Sequence, residues 1–255
     1  MSRTVIYEHP LNERIRNLLR LEFLFRQMKH QMAGTTPWDS RAAIAALLEV
    51  LTLLSRSDLK GELIKELERS TATLAPLAGR SGVDDEQLGN ILHWLERLHK
   101  ALHAADGQLG QALRDDEFLS AVRQRSTIPG GTCDFDLPGY HHWLHRGAEE
   151  RHQQQEAWLV KLEPVRKSVE LLLKLIRGSA DPVPQVAEAG FYPCALEQNV
   201  PYQLVRVLLP GECPFFPEIS GGKHRFTIRF MVASTSRRPV QTGEDVEFRL
   251  IQCAL

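Results

Sequence analysis

The sequence contains few of the features that mark secreted, disulfide-bonded or membrane-spanning proteins. Its four cysteines are widely spaced and form no C-x-x-C pair, which favours reduced thiols over disulfides or a structural zinc site. No apolar run approaches the roughly 18 residues that span a bilayer, and the first twenty residues lack the apolar segment of a signal peptide. We therefore expect a cytoplasmic protein with no direct membrane insertion.

Net charge is also nearly absent, because 31 Lys and Arg residues stand against 32 Asp and Glu residues. A chain with this balance has no global field that would draw it onto nucleic acid or an anionic membrane, so any recognition of a charged partner depends on a local patch. Its 255 residues, 43% of them hydrophobic and 25% charged, are typical of a soluble globular protein of one large or two small domains.

Sequence motifs of common phosphate-binding and metal-dependent enzymes are missing. No G-x-G-x-x-G follows a strand pattern, and there is no H-E-x-x-H. The segment "EISGGKHRF" lacks the earlier glycine of a P-loop, and His224 follows the lysine where Ser or Thr would hold magnesium. We therefore expect that the protein is not an enzyme and binds no cofactor or metal.

Helical periodicity dominates the first two thirds of the chain. Apolar residues recur at helical spacing within 10–30, 35–54, 57–77 and 84–102. Pro10 suits the first position of the first helix, and Thr36 or Asp39 suits the start of the second. Another helix is predicted over 149–177, with a kink or a break at Pro164 because proline disrupts a helix interior.

After Gly178 the pattern changes to short segments rich in β-branched and aromatic residues. The segments "YQLVRVLL", "HRFTIRFMV" and "DVEFRLIQC" predict strands of an antiparallel sheet, with "SGGK" as one of the turns between them. The proline-rich segment 179–193 is interpreted as a connection between the helical part and these strands.

The segment "STIPGGTCDFDLPGYHHWLH", residues 126–145, is predicted to begin with a β-hairpin around the turn Pro129–Gly131. An isolated hairpin is marginally stable in water, so we expect it to join the C-terminal sheet. The predicted fold class is α+β, with an N-terminal α-helical bundle domain and a smaller antiparallel β domain. The helical domain would comprise 1–119 and 148–179, and the β domain 120–147 and 180–255.

The same segment concentrates residue types that occur in reactive sites. His141 and His145 are four residues apart and Cys133 could supply a third metal ligand, whereas Cys133 with a histidine could also form a nucleophilic dyad. The simpler interpretation, which we favour, is that Cys133, Phe135 and Leu137 alternate as an inward face and that the histidines lie on a short helix.

The strand "HRFTIRFMV" offers a clearer signal, because alternation gives it one apolar face and one cationic face. The two faces carry His224, Phe226, Ile228 and Phe230 on one side, and Lys223, Arg225, Thr227 and Arg229 on the other. Arg123 and Arg125 have the same two-residue spacing at the start of the predicted hairpin. Pairing of the hairpin with the sheet would merge both arginine pairs into one basic surface.

Three interpretations of this basic surface remain open on the residues alone. The arginines could be solvated strand residues that pair with acidic residues such as Glu247. They could hold an acidic peptide through guanidinium–carboxylate contacts. The third interpretation is a nucleic-acid-binding module that contacts phosphates, which the acidic residues Asp115, Asp116 and Glu117 would oppose locally.

Several irregular motifs taken together resemble the ZapD family of bacterial cell-division proteins. They occur in the family's order and at family length: "YEHPLNERIRNLLRLEFLF", "KELER", "RQRSTIPGGTCDFDLPGYHHWLH", "GFY" and "PEISGGKHRFTIRFM". The resemblance implies a non-enzymatic cytoplasmic partner of FtsZ, the tubulin-like GTPase of the division ring, recruited to the division site at midcell.

The resemblance also implies a mode of action. Family members are similar in having a helical domain and a β domain, in forming homodimers, and in binding the C-terminal tail of FtsZ to bundle its filaments and promote Z-ring assembly. The implied binding surface is basic and lies in the β domain. Its matching residues here are Arg225 and Arg229, with Lys223, Arg123 and Arg125 as neighbours, and the implied partners include no nucleic acid.

Overall fold

The computed structural model describes residues 4–56, 58–233 and 238–255, which divide into two units. One unit contains the described residues of 1–19 and 173–255 and is built mainly of strands; we call it the β unit. The other, Arg20–Leu172, is helical and is called the helical unit. The predicted α+β class is confirmed.

Nine α-helices occur in the described residues. Their bounds are α1 Glu13–Met32, α2 Pro37–Arg56, α3 Leu59–Leu74, α4 Asp85–Ala104, α5 Gln111–Arg114, α6 Glu117–Ser126, α7 Pro138–Leu144, α8 Ala148–Val160 and α9 Glu163–Arg177. The break predicted at Pro164 is confirmed, because α8 ends before this proline and α9 contains it in its first turn, where its missing N–H costs nothing. Across the described residues, no helix combines the length and apolar character needed to cross a membrane.

Short polar side chains determine where several helices begin. Before α2, the Asp39 N–H donates to Thr36 Oγ1 (3.2 Å) and the Thr36 N–H donates back to Asp39 Oδ2 (2.9 Å). At the start of α4, the Gln87 N–H donates to Asp84 Oδ1 (2.9 Å). Each contact satisfies an N–H group that has no partner within its helix. The predicted start of the second helix at Thr36 or Asp39 is therefore confirmed.

The first helix begins later than predicted. Pro10 is the last residue of a strand, β1 Thr4–Pro10, and α1 starts only at Glu13. Asn12 caps this helix by accepting a hydrogen bond from the Ile15 N–H (2.9 Å). Pro10 was expected at the first helical position, but a capping side chain two residues further on defines the start because it pairs an otherwise unsatisfied donor.

The predicted hairpin around Pro129–Gly131 is wrong. Residues 117–126 form helix α6, whose N-terminus is capped by Asp116 through the Leu119 N–H (2.9 Å). Leu119 and Val122, three residues apart, are buried on one face of this helix. Capping and helical apolar spacing outweigh the strand-like composition. Segment 120–147 lies in the helical unit. Because the hairpin does not form, the reason for expecting this segment in the β domain is lost.

The remainder of the same segment packs through aromatic residues rather than through alternation. Phe118 contacts the rings of Tyr140, Trp143 and Trp158 at centroid distances of 5.8, 5.5 and 5.8 Å. Phe135, by contrast, is 83% exposed, so the predicted inward face of Cys133, Phe135 and Leu137 is wrong. The expected turn at Pro129–Gly131 exists, and the histidines do lie on or beside the short helix α7.

Eight strands occur in the described residues and form two antiparallel sheets. Beyond β1 they are β2 Val183–Ala187, β3 Phe191–Ala195, β4 Tyr202–Pro210, β5 Phe215–Gly221, β6 Arg225–Val232, β7 Val240–Gln241 and β8 Val246–Ala254. The first sheet has the order β1-β4-β8-β2. The second has the order β3-β6-β5, with β7 paired to the end of β6.

The three predicted strands correspond to β4, β6 and β8, whereas β2 and β3 lie in the segment interpreted as a connection. Both of these strands are at sheet edges, and each contains a proline, Pro184 in β2 and Pro193 in β3. A proline cannot donate to a ladder hydrogen bond, so it is tolerated at an edge. Proline content therefore concealed two strands that tertiary pairing forms.

The two sheets bury one core between their facing sides. The first sheet contributes residues of β4 and β8, and the second contributes β6; the main members are Val205, Val207, Phe248, Leu250, Phe226, Ile228 and Phe230. Alternation along each strand therefore leaves the opposite side chains of β6 facing away from this core.

A charged cluster is held within the β unit at Glu8. Arg177 reaches both carboxylate oxygens through Nε (2.8 Å) and Nη2 (2.7 Å), and Arg206 Nε lies 2.9 Å from Oε1. Burial by itself would raise the pKa of Glu8, but the hydrogen bonds and charges of the two arginines lower that pKa below its ordinary value. The carboxylate is therefore ionised and paired in the folded β unit.

Candidate partner-binding surface

The candidate surface is the outer face of the second sheet, defined as the side chains of β3, β6 and β5 that point away from the core. On β6, Arg225 and Arg229 are exposed while Phe226, Ile228 and Phe230 are buried. The alternation predicted for these residues is confirmed. Because β6 is the central strand, Arg229 has a paired strand on each side, whereas Arg225, at the start of β6, is paired with β3 only.

Strand register determines the neighbours of each arginine. Across the face, Arg229 is opposite Phe191 on β3 and Glu218 on β5, Thr227 is opposite Pro193 and Ser220, and Arg225 is opposite Ala195. The surface is thus a basic centre flanked by apolar side chains on the β3 side and by polar side chains on the β5 side. Sequence reasoning did not identify Phe191, Pro193 or Glu218, because they come from strands far apart in the chain.

The charges of this face are only partly balanced within the sheet. Glu218 shares the outer face with Arg229, but neither Arg225 nor Arg229 has a carboxylate oxygen within 4.0 Å in the described parts of the chain. Glu247, the acidic partner considered from the sequence, lies on β8 in the first sheet, opposite Val186. Both guanidinium groups consequently keep their donors available to a ligand.

Lys223 and His224 lie in the turn between β5 and β6, and both are exposed. The predicted inward position of His224 is wrong, since the residue precedes the strand and is exposed; its backbone carbonyl accepts a hydrogen bond from the Leu196 N–H (2.9 Å). The turn requires Gly221, where a Cβ would lie 2.4 Å from that of Phe226. Lys223 is therefore an exposed basic residue in the turn that leads into β6.

Arg123 and Arg125 lie on α6 in the helical unit, so no strand pairing joins them to β6. On a helix, residues two apart differ by about 200° around the axis and point in different directions. Arg123 is half-buried, and Arg125 Nη1 lies 3.5 Å from Asp136 Oδ1. The expectation that a hairpin would merge the two arginine pairs is wrong, because the hairpin does not form.

The candidate metal or thiol site at Cys133, His141 and His145 is not assembled in the structure. Cys133 Sγ has Asp136 Oδ2 as its hydrogen-bond partner (3.5 Å), and His145 Nδ1 lies 2.9 Å from the backbone oxygen of His141. Across residues 4–56, 58–233 and 238–255, the three do not form a group of metal-ligand atoms. The dyad gains no support, because the hydrogen-bond partner of the Cys133 thiol is a carboxylate and not a histidine.

These features define an α+β protein whose second sheet exposes two arginines on its outer face. A family model described as "ZapD: Cell division protein" matches residues 19–229. Relatives named "Cell division protein ZapD" also match. The one from Methylococcus capsulatus is 43% identical over 255 residues, and the match covers both chains fully. Those from Azoarcus and Aromatoleum aromaticum are each 40% identical over 251 residues; these matches cover 98% of this chain and, respectively, 100% and 98% of the relative. The chain belongs to the ZapD family of cell division proteins.

Proposed function

We propose that this cell division protein binds the C-terminal tail of FtsZ with the outer face of the second sheet and, as a homodimer, bundles FtsZ filaments. Bundling would promote assembly and stability of the Z-ring, and binding would recruit the protein from the cytoplasm to midcell. The observation that carries the proposal is the pair of exposed arginines, Arg225 and Arg229, on the central strand of an outward sheet face.

The geometry of the pair suits an extended peptide. Arg229 is four positions after Arg225 on the strand, which places their Cα atoms about 13 Å apart. A peptide lying along β6 could place two carboxylates over the two guanidinium groups and its apolar side chains against Phe191 and Pro193. Guanidinium–carboxylate contacts with paired hydrogen bonds are stronger than neutral hydrogen bonds, so a short tail can be held by few residues.

The acidic residue on the same face favours a peptide over a nucleic acid. Glu218 lies opposite Arg229 and would repel the continuous negative charge of a phosphate backbone, whereas a peptide can present mixed charges. We therefore expect single-stranded oligonucleotides to show no gel shift with the protein and to leave its binding to FtsZ unchanged. An oligonucleotide that shifts the protein and competes with FtsZ would favour the nucleic-acid alternative instead.

Dimerisation is assigned to the helical unit in this proposal. Large apolar side chains are exposed there, including Phe23, Trp38 at 77% exposure, and Phe135. A dimer would carry two copies of the tail-binding face, and because a filament displays many tails, bivalent engagement raises the effective affinity of a weak contact. Light scattering at micromolar concentration is expected to give the mass of a dimer, and the mass of a monomer would contradict this part of the proposal.

The main test is charge reversal at the central strand. The double variant Arg225→Glu/Arg229→Glu is expected to abolish cosedimentation with FtsZ filaments, because it replaces both donors with repelling carboxylates. Arg249→Glu is the matched control, since Arg249 is an exposed arginine on β8 of the first sheet. Circular dichroism should be unchanged in both variants, because all three side chains are exposed. The thermal midpoint of the double variant should fall only slightly, because Arg229→Glu places a second carboxylate opposite Glu218.

Two further arms identify the epitope and the kind of contact. FtsZ that lacks its C-terminal tail should no longer pellet with the wild-type protein, and bundling should weaken as salt is added because exposed charges are screened over about 8 Å at physiological ionic strength. Undiminished pelleting of the double variant, or of the wild-type protein with tail-deleted FtsZ, would contradict the proposal.

A further inference from the structure

A cluster of metal-ligand side chains lies in the helical unit, apart from the site discussed above. Glu68 on α3 and His99 and His103 on α4 each offer one ligand atom, and these atoms all lie within 4.8 Å of one another. The three residues come from the two helices of a packed pair, since α3 and α4 contact each other along their lengths. Their sequence separation is why no local motif indicates them.

Helix geometry aligns the two histidines. Residues four apart lie on the same face of a helix, and the His99 and His103 rings have a centroid distance of 4.6 Å. Across the helix pair, His99 Nε2 lies 2.9 Å from Glu68 Oε1. The side chain of His99 is 30% exposed and that of Glu68 is 55% exposed, so the cluster is open to solvent on one side.

We propose that Glu68, His99 and His103 form a binding site for a divalent transition-metal ion of the zinc class. Imidazole nitrogen and carboxylate oxygen are ligands that zinc takes at about 2.0–2.2 Å, and two histidines with one glutamate are a known ligand set, with water completing the tetrahedron. At those bond lengths, tetrahedral ligand atoms stand about 3.4 Å apart. The present separations of up to 4.8 Å would have to shorten by rotation of side chains, and those of His103 and Glu68 are both exposed.

The other histidine pair of the chain provides an internal comparison. His141 and His145 are also four residues apart, with ring centroids 4.3 Å from each other, but among the described residues no third ligand joins them. A hard ion such as Mg²⁺ is expected to bind weakly at either site, because it prefers carboxylate and water oxygens to imidazole nitrogens. The proposal therefore predicts one Zn²⁺ site at α3 and α4 and no Mg²⁺ site there.

The consequence of binding would be a link between α3 and α4. An ion that binds the folded helix pair and not the unfolded chain stabilises the fold by mass action. With Zn²⁺ in large excess over its dissociation constant, the midpoint of thermal unfolding of the helical unit should rise by about 5 °C. Zinc binding is independent of the proposed FtsZ contact, so a failure of either proposal leaves the other testable.

The experiment uses the full chain freed of any histidine tag and titrated with ZnCl2 in a calorimeter, with MgCl2 as a parallel titration. One Zn²⁺ per chain is expected for the wild type. His103→Ala should weaken binding by about tenfold or more. Loss of a residue that only positions a metal ligand already weakens metal binding about 10–100-fold, and His103 is itself a proposed ligand. His93→Ala removes an exposed histidine from the same helix and should leave binding unchanged.

Two more measurements separate a metal site from a simple polar contact between helices. Co²⁺ in place of Zn²⁺ should produce visible absorption bands in the wild type and in His141→Ala/His145→Ala, and these bands should be lost in His103→Ala and in Glu68→Gln. Absence of Zn²⁺ binding by the wild type would overturn the proposal. It would also be overturned if His103→Ala bound Zn²⁺ as the wild type does, or if removal of the His141 and His145 pair abolished binding.

Discussion

Two pairs of arginines, one on α6 and one on β6, show how differently the two units use the same residue type. Arg123 and Arg125 are two residues apart on a helix, so one is half-buried and the other reaches Asp136. Arg225 and Arg229 are four residues apart on a strand, so both emerge on one exposed face. The spacing between two charged residues thus predicts whether they share a face only when it is known whether the segment is a helix or a strand.

The contrast extends to arginines that are buried or half-buried. In the helical unit, Arg151 is 4% exposed and donates to the Ser40 hydroxyl (3.0 Å) and to backbone oxygens of Leu144 (3.2 Å), Arg146 and Thr35. In the β unit, Arg177 and Arg206 instead share the Glu8 carboxylate. One unit satisfies a buried guanidinium with carbonyls at helix ends, whereas the other uses an ion pair.

The largest effect on stability is expected at the carbonyl-bound arginine. Arg151→Ala leaves several backbone oxygens without their donor and creates a cavity, so the free energy of unfolding should fall by about 3 kcal/mol. Denaturant unfolding monitored by circular dichroism measures the loss. Arg146→Ala is the matched control, because its side chain is exposed and only its backbone oxygen contacts Arg151; equal losses in both variants would refute the assigned role of Arg151.

A smaller and pH-dependent effect is expected at the ion pair of the β unit. Glu8→Gln removes the negative charge that Arg177 and Arg206 share, which should cost about 2 kcal/mol near neutral pH. Because the folded pKa of Glu8 lies below its ordinary value of 4.5, the charge contributes stability above that pH and the contribution is lost as the pH falls through the folded pKa.

The difference in unfolding free energy between wild type and Glu8→Gln should therefore shrink toward zero in acid. Urea unfolding at a series of pH values checks this trend. Glu247→Gln, which changes an exposed glutamate of the same unit, should show no such dependence. A Glu8→Gln difference that stays constant down to pH 3 would show that charge pairing is not its cause.

The smallest effect is expected at the helical arginine pair. We expect Arg123 and Arg125 to contribute little to FtsZ binding, because Arg125 is partly neutralised by Asp136 and Arg123 is half-buried. Arg123→Glu/Arg125→Glu should weaken cosedimentation by no more than about threefold, and Lys223→Glu by a comparable amount, since single exposed charge contacts contribute up to about 1 kcal/mol. Complete loss of binding in the α6 variant would mean that the helical unit carries the main contact.

Local patterns in the sequence predicted the features that depend on neighbours along the chain. The alternation of β6, the cap at Thr36 and the break at Pro164 each follow from residues within a few positions of one another, and each is present in the structure. The hairpin failed because strand-like composition competed with a cap at Asp116 and with apolar residues at helical spacing, and the local helix is more stable than an unpaired hairpin.

Other features depended on contacts between distant segments. The edge strands β2 and β3 were not predicted, because their prolines argue against a strand until a neighbouring strand is present to pair with them. Likewise, Glu218 faces Arg229 only through the register of β5 and β6, and Glu68 meets His99 only because α3 packs on α4. Neither residue pair could be predicted from periodicity, because its two members lie far apart in the sequence or on different secondary-structure elements.

The sequence by itself determined the α+β class and the cationic face of β6, because helical and strand periods and helix caps depend on residues close together in the chain. It also determined the family, through motifs that resemble those of ZapD proteins. Tertiary structure alone decided which residues of β3 and β5 flank the arginines of β6 and which carboxylates and histidines come together. The physical reason is that a side chain's direction is set by local backbone period, whereas its neighbours are set by strand register and helix packing over long separations in the chain.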